Sequence, residues 1–553
     1  MQATADLLLT NGNVLTMDPD RPRARSVGIS NGRVVAVGSE SSGPDGVQAR
    51  EVADLRGATL LPGFHDAHNH MAWYGLSLGE ADLRPEVTPT LDDLYRAVAA
   101  QAAATAPGDW VTGSGYDQNK IGGHPDRDGL DRAAPGRRVW LRHTSGHMCV
   151  VSSAVLADLG LADEAADISG GKVVTDATGR PTGLLQEKAQ ELVGGLVHPY
   201  PLAVLADAIE RAGTRYLSEG ITSVTEAGIG GGWIGHTPVE LAAYQTARDA
   251  GRLRVRVELM IASDALHPLG AHPDDGLEVG LDLGIRTGFG DDWLRIGAMK
   301  IFTDGSLVGR TAAMHDAYEG TPGDRGYLQA DATDLAATMI AAHRSGWQVA
   351  AHAIGDRAID LVLGAYAEAR QRFPRPDTRH RIEHFAASRP DQVSRAAQLG
   401  VIPVPQGRFA TELGDGMLAA VGPARREWLY RQRSLLDAGL TLPGSSDRPV
   451  VAGAPLLGVH DMVNRRTATG AAFNPAEAIS PGEALRAYTS GSAYASHAEN
   501  TRGMIAPGML ADLVVLSDDP AAVAPASIAG ITVLATFVGG ECRFDITGSG
   551  QLT

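Results

Sequence analysis

The feature that most constrains this chain is a series of short apolar runs alternating with helical periodicity. The first run, Ala58-Thr59-Leu60-Leu61, precedes Pro62. Seven more segments that read as short strands follow at 221–226, 255–261, 296–302, 348–353, 380–385, 401–405 and 440–447. Apolar residues recur at helical spacing between most of them, over 204–219, 332–345, 356–372 and 390–399. Strands that alternate with helices pair in parallel, and eight such units predict a distorted TIM-type (β/α)8 barrel, an α/β fold whose functional groups lie at the C-terminal ends of the strands.

The two ends of the chain read differently. Residues 6–60 form short strands with turns at Asn11-Gly12-Asn13 and Asn31-Gly32, both hairpin signals. Residues after 500 have the same texture, with apolar runs at 511–516 and 531–538 and a Gly539-Gly540 turn. Neither end is large enough to bury a sheet face by itself. The expected organisation is therefore a composite β-sandwich from 1–60 and 500–553 around a barrel domain at 61–499. Residues 75–185 interrupt the barrel pattern with a helix from Thr90 to Ala106, glycine turns and short apolar runs. They are expected to form an insertion after the first strand, over the barrel mouth.

Polar residues at the strand ends carry the chemistry. His68 and His70 follow the first run two residues apart, a spacing that aims two imidazoles to the same side of a strand. His65, at an odd offset, faces the other way and reads as packing or as support behind the ligands. Lys300 lies inside the fourth run, a costly position for an ammonium unless it is paired, modified or functional. His352 ends the fifth run, His384 the sixth and Asp447 the last. Any one of these is explained by ordinary packing or capping. Together, at one end of one barrel, they point to a metal centre, since neutral imidazole and carboxylate are the usual ligands of zinc and related ions.

These segments carry a resemblance. Pro62-Gly63-Phe64-His65-Asp66-Ala67-His68-Asn69-His70, Lys300-Ile301-Phe302-Thr303-Asp304-Gly305-Ser306, Ala351-His352-Ala353-Ile354-Gly355-Asp356, Arg381-Ile382-Glu383-His384 and Gly444-Ser445-Ser446-Asp447-Arg448-Pro449 stand in the order found in the amidohydrolase superfamily. Within it the chain resembles amidohydrolase family 3, which includes N-substituted formamide deformylases. The resemblance implies that His68, His70 and Asp447 bind a more buried metal and that His352 and His384 bind a second one. It also implies that Lys300 is N-carboxylated and bridges the two. His65 departs from the apolar residue expected there. Zinc is the expected metal, as one ion or two; iron, manganese and cobalt accept the same ligands.

The implied reaction is hydrolysis of a C–N amide-type bond, in an N-substituted formamide or an N-acyl amine, with Asp447 as general base and then acid. Alternatives are a mononuclear deaminase of a heterocyclic base and a hydrolase of carbamates or cyclic amides; a non-catalytic scaffold is a third class. Lys300 favours amide hydrolysis over deamination. Candidate substrate contacts are His143, His147 and Glu187 in the insertion, Asp304 and Arg310 after Lys300, and the aromatic side chains of Trp73, Tyr74 and Tyr116.

The net charge of −17 argues against nucleic acid or an anionic membrane as the main partner, which leaves a small-molecule substrate. Cys149 and Cys542, the only cysteines, make no disulfide framework and fit a reducing compartment. No segment has the roughly 18 uninterrupted apolar residues of a membrane span. The expectation is a cytoplasmic enzyme, with a homodimer as the default assembly.

Overall fold

The computed structural model describes residues 3–44, 47–143, 148–168, 171–232 and 234–546. The chain divides into two compact units, one built from Met1–Met71 with Gly213–Thr553 and the other from Ala72–Ala212.

The first unit contains a seven-stranded parallel sheet. Its strands are β1 (Phe64–Asn69), β2 (Ile221–Ile229), β3 (Arg256–Ala262), β4 (Leu294–Phe302), β5 (Val349–Ala353), β6 (Arg381–His384) and β7 (Ile402–Val404), paired in sequence order. All residues of β1, β2, β3, β5, β6 and β7 are buried, as in a parallel sheet covered on both faces. The run Ala58-Thr59-Leu60-Leu61, expected as the first barrel strand, instead enters another sheet as Thr59–Pro62, and the first barrel strand is the largely polar Phe64–Asn69 that follows it. Helices Ala332–Arg344, Asp356–Arg372 and Pro390–Leu399 form the crossovers around β5 and β6. The first bears a buried stripe of Leu335, Met339 and Ala342, at the spacing of one helix face. The last starts with proline in its first turn and stops at Gly400, whose φ of 61° suits a residue without a Cβ.

The eighth strand expected at 440–447 does not form. Pro443 lacks an N–H, and Asp447 turns into the left-handed region at φ 61°. The segment closes the barrel by stitches to β1. Ala67 N–H donates to Gly444 O at 2.9 Å, Asp447 N–H to His68 O at 2.7 Å, and His70 N–H to Arg448 O at 2.8 Å. The buried carboxylate of Asp66 adds to the seam by accepting from Ser446 N–H at 3.0 Å and from the Ser446 hydroxyl. Gly444 is required here because a Cβ would lie 2.4 Å from the Tyr488 ring.

Strands from both ends of the chain share a six-stranded sheet, in which Thr59–Pro62 pairs antiparallel with Leu513–Leu516. A four-stranded sheet holds Ala3–Thr10 between Ser26–Ser30 and Val47–Asp54. One apolar cluster draws on both sheets, including Leu9, Val27, Ile29, Leu60, Val515 and Phe537. Asn31-Gly32 makes the expected tight turn, between Ser30 and its partner Arg33. The Asn11-Gly12 signal, in contrast, is not a hairpin. Ala3–Thr10 and Asn13–Leu15 enter different sheets, and Asn11, at φ 52°, carries the chain between them.

The second unit has a six-stranded sheet of its own, ordered Gly171–Thr175, Pro181–Glu187, Met148–Val151, Val139–His143, Val111–Tyr116 and Ala81–Asp82. Its helix Leu91–Ala104 starts at Thr90, whose hydroxyl accepts from Asp93 N–H, and buries Leu94 and Val98. The unit is wider than the 75–185 read from the sequence. Among the described residues no helix is long and apolar enough to cross a membrane.

Candidate metal centre

The site is built from the C-terminal ends of β1, β4, β5 and β6 and from the seam segment. His68 and His70 leave the end of β1 on the same side. His384 is the last residue of β6, with φ 72°. That left-handed backbone breaks strand alternation and lets the adjacent residues Glu383 and His384 both serve one centre. Asp447 has the same unusual backbone. Left-handed conformations at non-glycine residues are costly, and two at candidate ligands mark a site held in place by its surroundings.

The donor atoms converge. Ligand atoms of His68, His384 and Asp447 lie within 4.8 Å of one another, and all three residues are buried. Asp447 Oδ1 is 3.3 Å from His68 Nε2 and 3.1 Å from His70 Nε2. The His352 and His384 rings are 4.4 Å apart between centroids.

The outward-facing nitrogens decide what these rings can do. His68 Nδ1 donates to Glu383 Oε2 at 2.5 Å. Arg381 clamps that carboxylate with two hydrogen bonds, of 2.7 and 2.9 Å, and with His68 it holds Glu383 ionised against the pull of burial. His70 Nδ1 is 3.6 Å from Glu226 Oε1, and the Tyr244 hydroxyl donates to Glu226 Oε2 at 2.6 Å. His384 Nδ1 donates to Gln406 Oε1 at 2.7 Å. The amide of Gln406 cannot be reversed, because its NH2 group donates to Val404 O and Ser445 Oγ. His352 Nε2 donates to Gly305 O at 3.1 Å, and its buried Nδ1 has no hydrogen-bond partner.

Each neutral imidazole has one N–H. All four are directed outward, so lone pairs on Nε2 of His68, His70 and His384 and on Nδ1 of His352 are left for the interior, beside the Asp447 carboxylate. Such a set of acceptors repels itself unless a cation lies among them. Without a metal, protons take that role in part. Burial pushes His70 down, but Asp447 and Glu226 outweigh it and lift it to about 9. His384 is lowered to about 3, first by burial. Asp447, which burial alone would raise, is held well below the usual carboxylate range by His68 and His70. Lys300 Nζ is buried without a hydrogen-bond partner, 4.8 Å over the Phe302 ring. Burial lowers it to about 8, against the opposing charges of Glu383 and Asp447. The donor set and the orphaned lysine fit a cationic centre.

The other expected residues have different surroundings. Asp304 is buried; burial lifts it to about 7, although it accepts from the backbone amides of Ala313, Ile354 and Gly355. Its oxygens brace the loops that follow β4 and β5. Arg310 donates to Glu319 O and Thr321 Oγ1, both at 3.1 Å, and so ties its own loop. His65 is buried against Thr225 Oγ1 at 3.2 Å and held neutral by burial. In the second unit, His143 Nε2 lies 2.5 Å from Gln118 Oε1, and its ring meets Tyr116 edge-on at 4.9 Å. Trp73 and Tyr74 are half-buried in the helix Met71–Ser77. His147 lies outside the described residues, as does the side chain of Glu187.

Glu226, Glu383, Gln406 and Asp66 were not assigned roles from the sequence. The two glutamates carried a readable signal, a carboxylate inside an apolar strand run, which is the argument applied to Lys300. Gln406 carried none.

Comparison with known proteins agrees with this arrangement. Residues 51–544 match the model of the amidohydrolase family. An N-substituted formamide deformylase of Arthrobacter pascens is 31% identical over 99% of this chain and 100% of its own length. Protein LONG AFTER FAR-RED 3 of Arabidopsis thaliana is 32% identical over 97% of this chain and 91% of its own. A crystal structure of an uncharacterized metal-dependent hydrolase from Pyrococcus horikoshii OT3 superposes with a TM-score of 0.75, at 27% identity, over 94% of this chain and 99% of that one. With a parallel barrel-like sheet, buried histidines converging on an aspartate and a family match over most of its length, this chain belongs to the amidohydrolase family.

Proposed function

We propose that the protein is a metal-dependent hydrolase of C–N amide-type bonds, acting on an N-substituted formamide or a related N-acyl amine. The observation that carries this reading is the inward-facing acceptor set around Asp447 with the unpartnered Lys300 beside it. His68, His70 and Asp447 would hold one divalent ion and His352 and His384 a second, with zinc the favoured metal. Lys300 would bridge them as a carbamate. Its burial favours the neutral amine, which adds to CO2 with loss of one proton to give an anionic oxygen ligand in place of a buried cation. The formamide specificity of the Arthrobacter relative supports the substrate class.

A bound divalent ion polarises a carbonyl and lowers the pKa of water from about 15.7 to about 7. Asp447, ionised at neutral pH, accepts a proton from the attacking water at its carboxylate. It then returns that proton to the leaving nitrogen as the C–N bond breaks, giving a carboxylate and an amine. Glu383, Glu226 and Gln406 keep the histidine rings aligned throughout.

The test is turnover of a panel of N-alkyl and N-aryl formamides, N-acetyl amines and aminated heterocycles by zinc-reconstituted protein, with amine and ammonia measured separately. Release of the substituted amine from formamides supports the proposal. Ammonia from heterocycles with intact formamides refutes it in favour of deamination.

A further inference from the structure

We infer that Tyr430 is a catalytic residue whose hydroxyl donates a hydrogen bond to the carbonyl oxygen of the scissile amide. The inference deepens the hydrolase reading above and rests on it.

Tyr430 lies between β7 and the Asp447 segment, in an apolar cluster with Phe409, Leu429 and Phe473. Its hydroxyl is buried there without a hydrogen-bond partner. Every other buried tyrosine among the described residues has one. Tyr318, in the same cluster, donates to Ala312 O at 2.7 Å, and Tyr488 donates to Ser445 O at 3.1 Å. A buried hydroxyl with no acceptor costs stability, and phenylalanine would fill the same space without that cost. Such a group calls for an explanation, and an acceptor outside the protein is one.

The placement of Tyr430 ties the hydroxyl to the reaction. Tyr430 N–H donates to Ala386 O at 2.8 Å, two residues after His384. The Tyr430 ring meets Phe409 edge-on at 6.1 Å, and Phe409 stacks on the His384 ring at 6.2 Å. At the backbone end, Tyr430 O accepts from Arg465 Nη2 at 3.1 Å and from Gln432 N–H at 2.9 Å. After burial, the charge that acts most strongly on the phenol is that of Asp447, ahead of Arg465. The ring therefore leads from its own carbonyl, at Arg465, towards the Asp447 carboxylate. Burial and Asp447 together hold the phenol well above its ordinary range, so it is a donor at neutral pH. The backbone adopts φ 47°, in the left-handed region that His384 and Asp447 also occupy, and the three hydrogen bonds keep it there. Burial does not set Tyr430 apart from the site, since His68, Lys300 and Tyr430 are each 1% exposed.

The chemistry assigns the acceptor. As water adds to the amide carbon and gives a proton to Asp447, negative charge develops on the carbonyl oxygen. A neutral donor fixed beside that carboxylate, away from solvent, is matched to this charge. The leaving nitrogen takes its proton from Asp447, so Tyr430 transfers none and ends the cycle unchanged.

The experiment compares full-length, zinc-reconstituted parent and Tyr430→Phe on an N-alkyl formamide, with zinc content and the thermal unfolding of both metal-free proteins measured alongside. The variant should lose about 10²–10³-fold in kcat, with KM changed less than threefold. It should bind as much zinc as the parent and unfold at no lower temperature, because only an unpartnered hydroxyl has been removed. A kcat within threefold of the parent would overturn the inference and leave Tyr430 as a packing residue. A fall in kcat accompanied by lost zinc or by a lower unfolding temperature would overturn it in favour of a structural role. A zinc-loaded parent that cleaves no formamide would overturn the hydrolase reading, and the inference with it.

Discussion

Replacing Lys300 with methionine should stabilise the metal-free protein, although it removes a residue proposed to build the site. The ammonium is buried, has no hydrogen-bond partner and is lowered from its ordinary 10.5 to about 8, chiefly by burial. At about 1.4 kcal/mol per pH unit, that drop corresponds to about 3 kcal/mol against the charged form. The unfolded chain keeps the proton up to about pH 10.5 and the folded chain only to about pH 8. Between those values unfolding takes up a proton, so stability rises with pH across the window, and the full penalty applies below it. Methionine fills a similar volume without charge. In bicarbonate-free buffer with no metal, Lys300→Met should therefore be more stable than the parent by up to about 3 kcal/mol at pH 7, with the gap closing towards pH 10.5. Urea denaturation at several pH values measures both quantities. With metal and bicarbonate the sign should reverse, because only the parent can bind the second ion. A variant no more stable than the parent at pH 7 without metal, or a gap that widens with pH, would show that the ammonium is already compensated.

Asp447→Asn should keep the fold and lower kcat by about 10²–10⁴-fold, the usual contribution of a positioned acid–base group; a kcat within tenfold of the parent removes Asp447 from that role. Asp66→Asn takes a charged acceptor from the seam between β1 and the Asp447 segment, at a cost of about 1–3 kcal/mol in thermal unfolding, and speeds metal loss to a chelator. Unchanged unfolding would mean that the backbone stitches suffice. His380 and His343 share a buried hydrogen bond of 2.7 Å, with His343 Nε2 donating to Phe373 O and His380 Nδ1 accepting from Val349 N–H. Burial pushes both below the ordinary 6.5, so the unfolded chain binds protons there that the folded chain refuses. Stability should fall as pH drops below 6.5, and a urea midpoint that is flat from pH 7 to pH 5 would contradict this.

The candidate ligand residues are legible because each stands at or near the end of a segment that reads as a strand, and the structure places them together and buried. The helices at 332–344, 356–372 and 390–399 were legible because periodicity, caps and stop residues agree. The seam at 440–447 reads as a strand because its apolar content matches one, while its closure depends on Asp66 and on three backbone bonds from a segment about 380 residues earlier. Asn11-Gly12 reads as a hairpin because a tight-turn dipeptide does not say whether its flanks pair with each other or enter separate sheets. Gln406 was invisible, since a glutamine after a short strand acquires its role only when β6 brings His384 to it.

The pairing of Thr59–Pro62 with Leu513–Leu516 also sets a schedule for synthesis. The two strands are about 450 residues apart, and at about 5–20 residues per second the second leaves the ribosome roughly 20–90 s after the first. Through that interval one edge of an apolar strand, carrying Leu60 and Leu61, waits without its antiparallel neighbour. Such an edge is a template for pairing with another nascent chain. Yield of this protein in a foreign host should therefore depend on chaperone supply and elongation rate, and a chain cut short before Leu513 should aggregate even though every strand of its barrel is present.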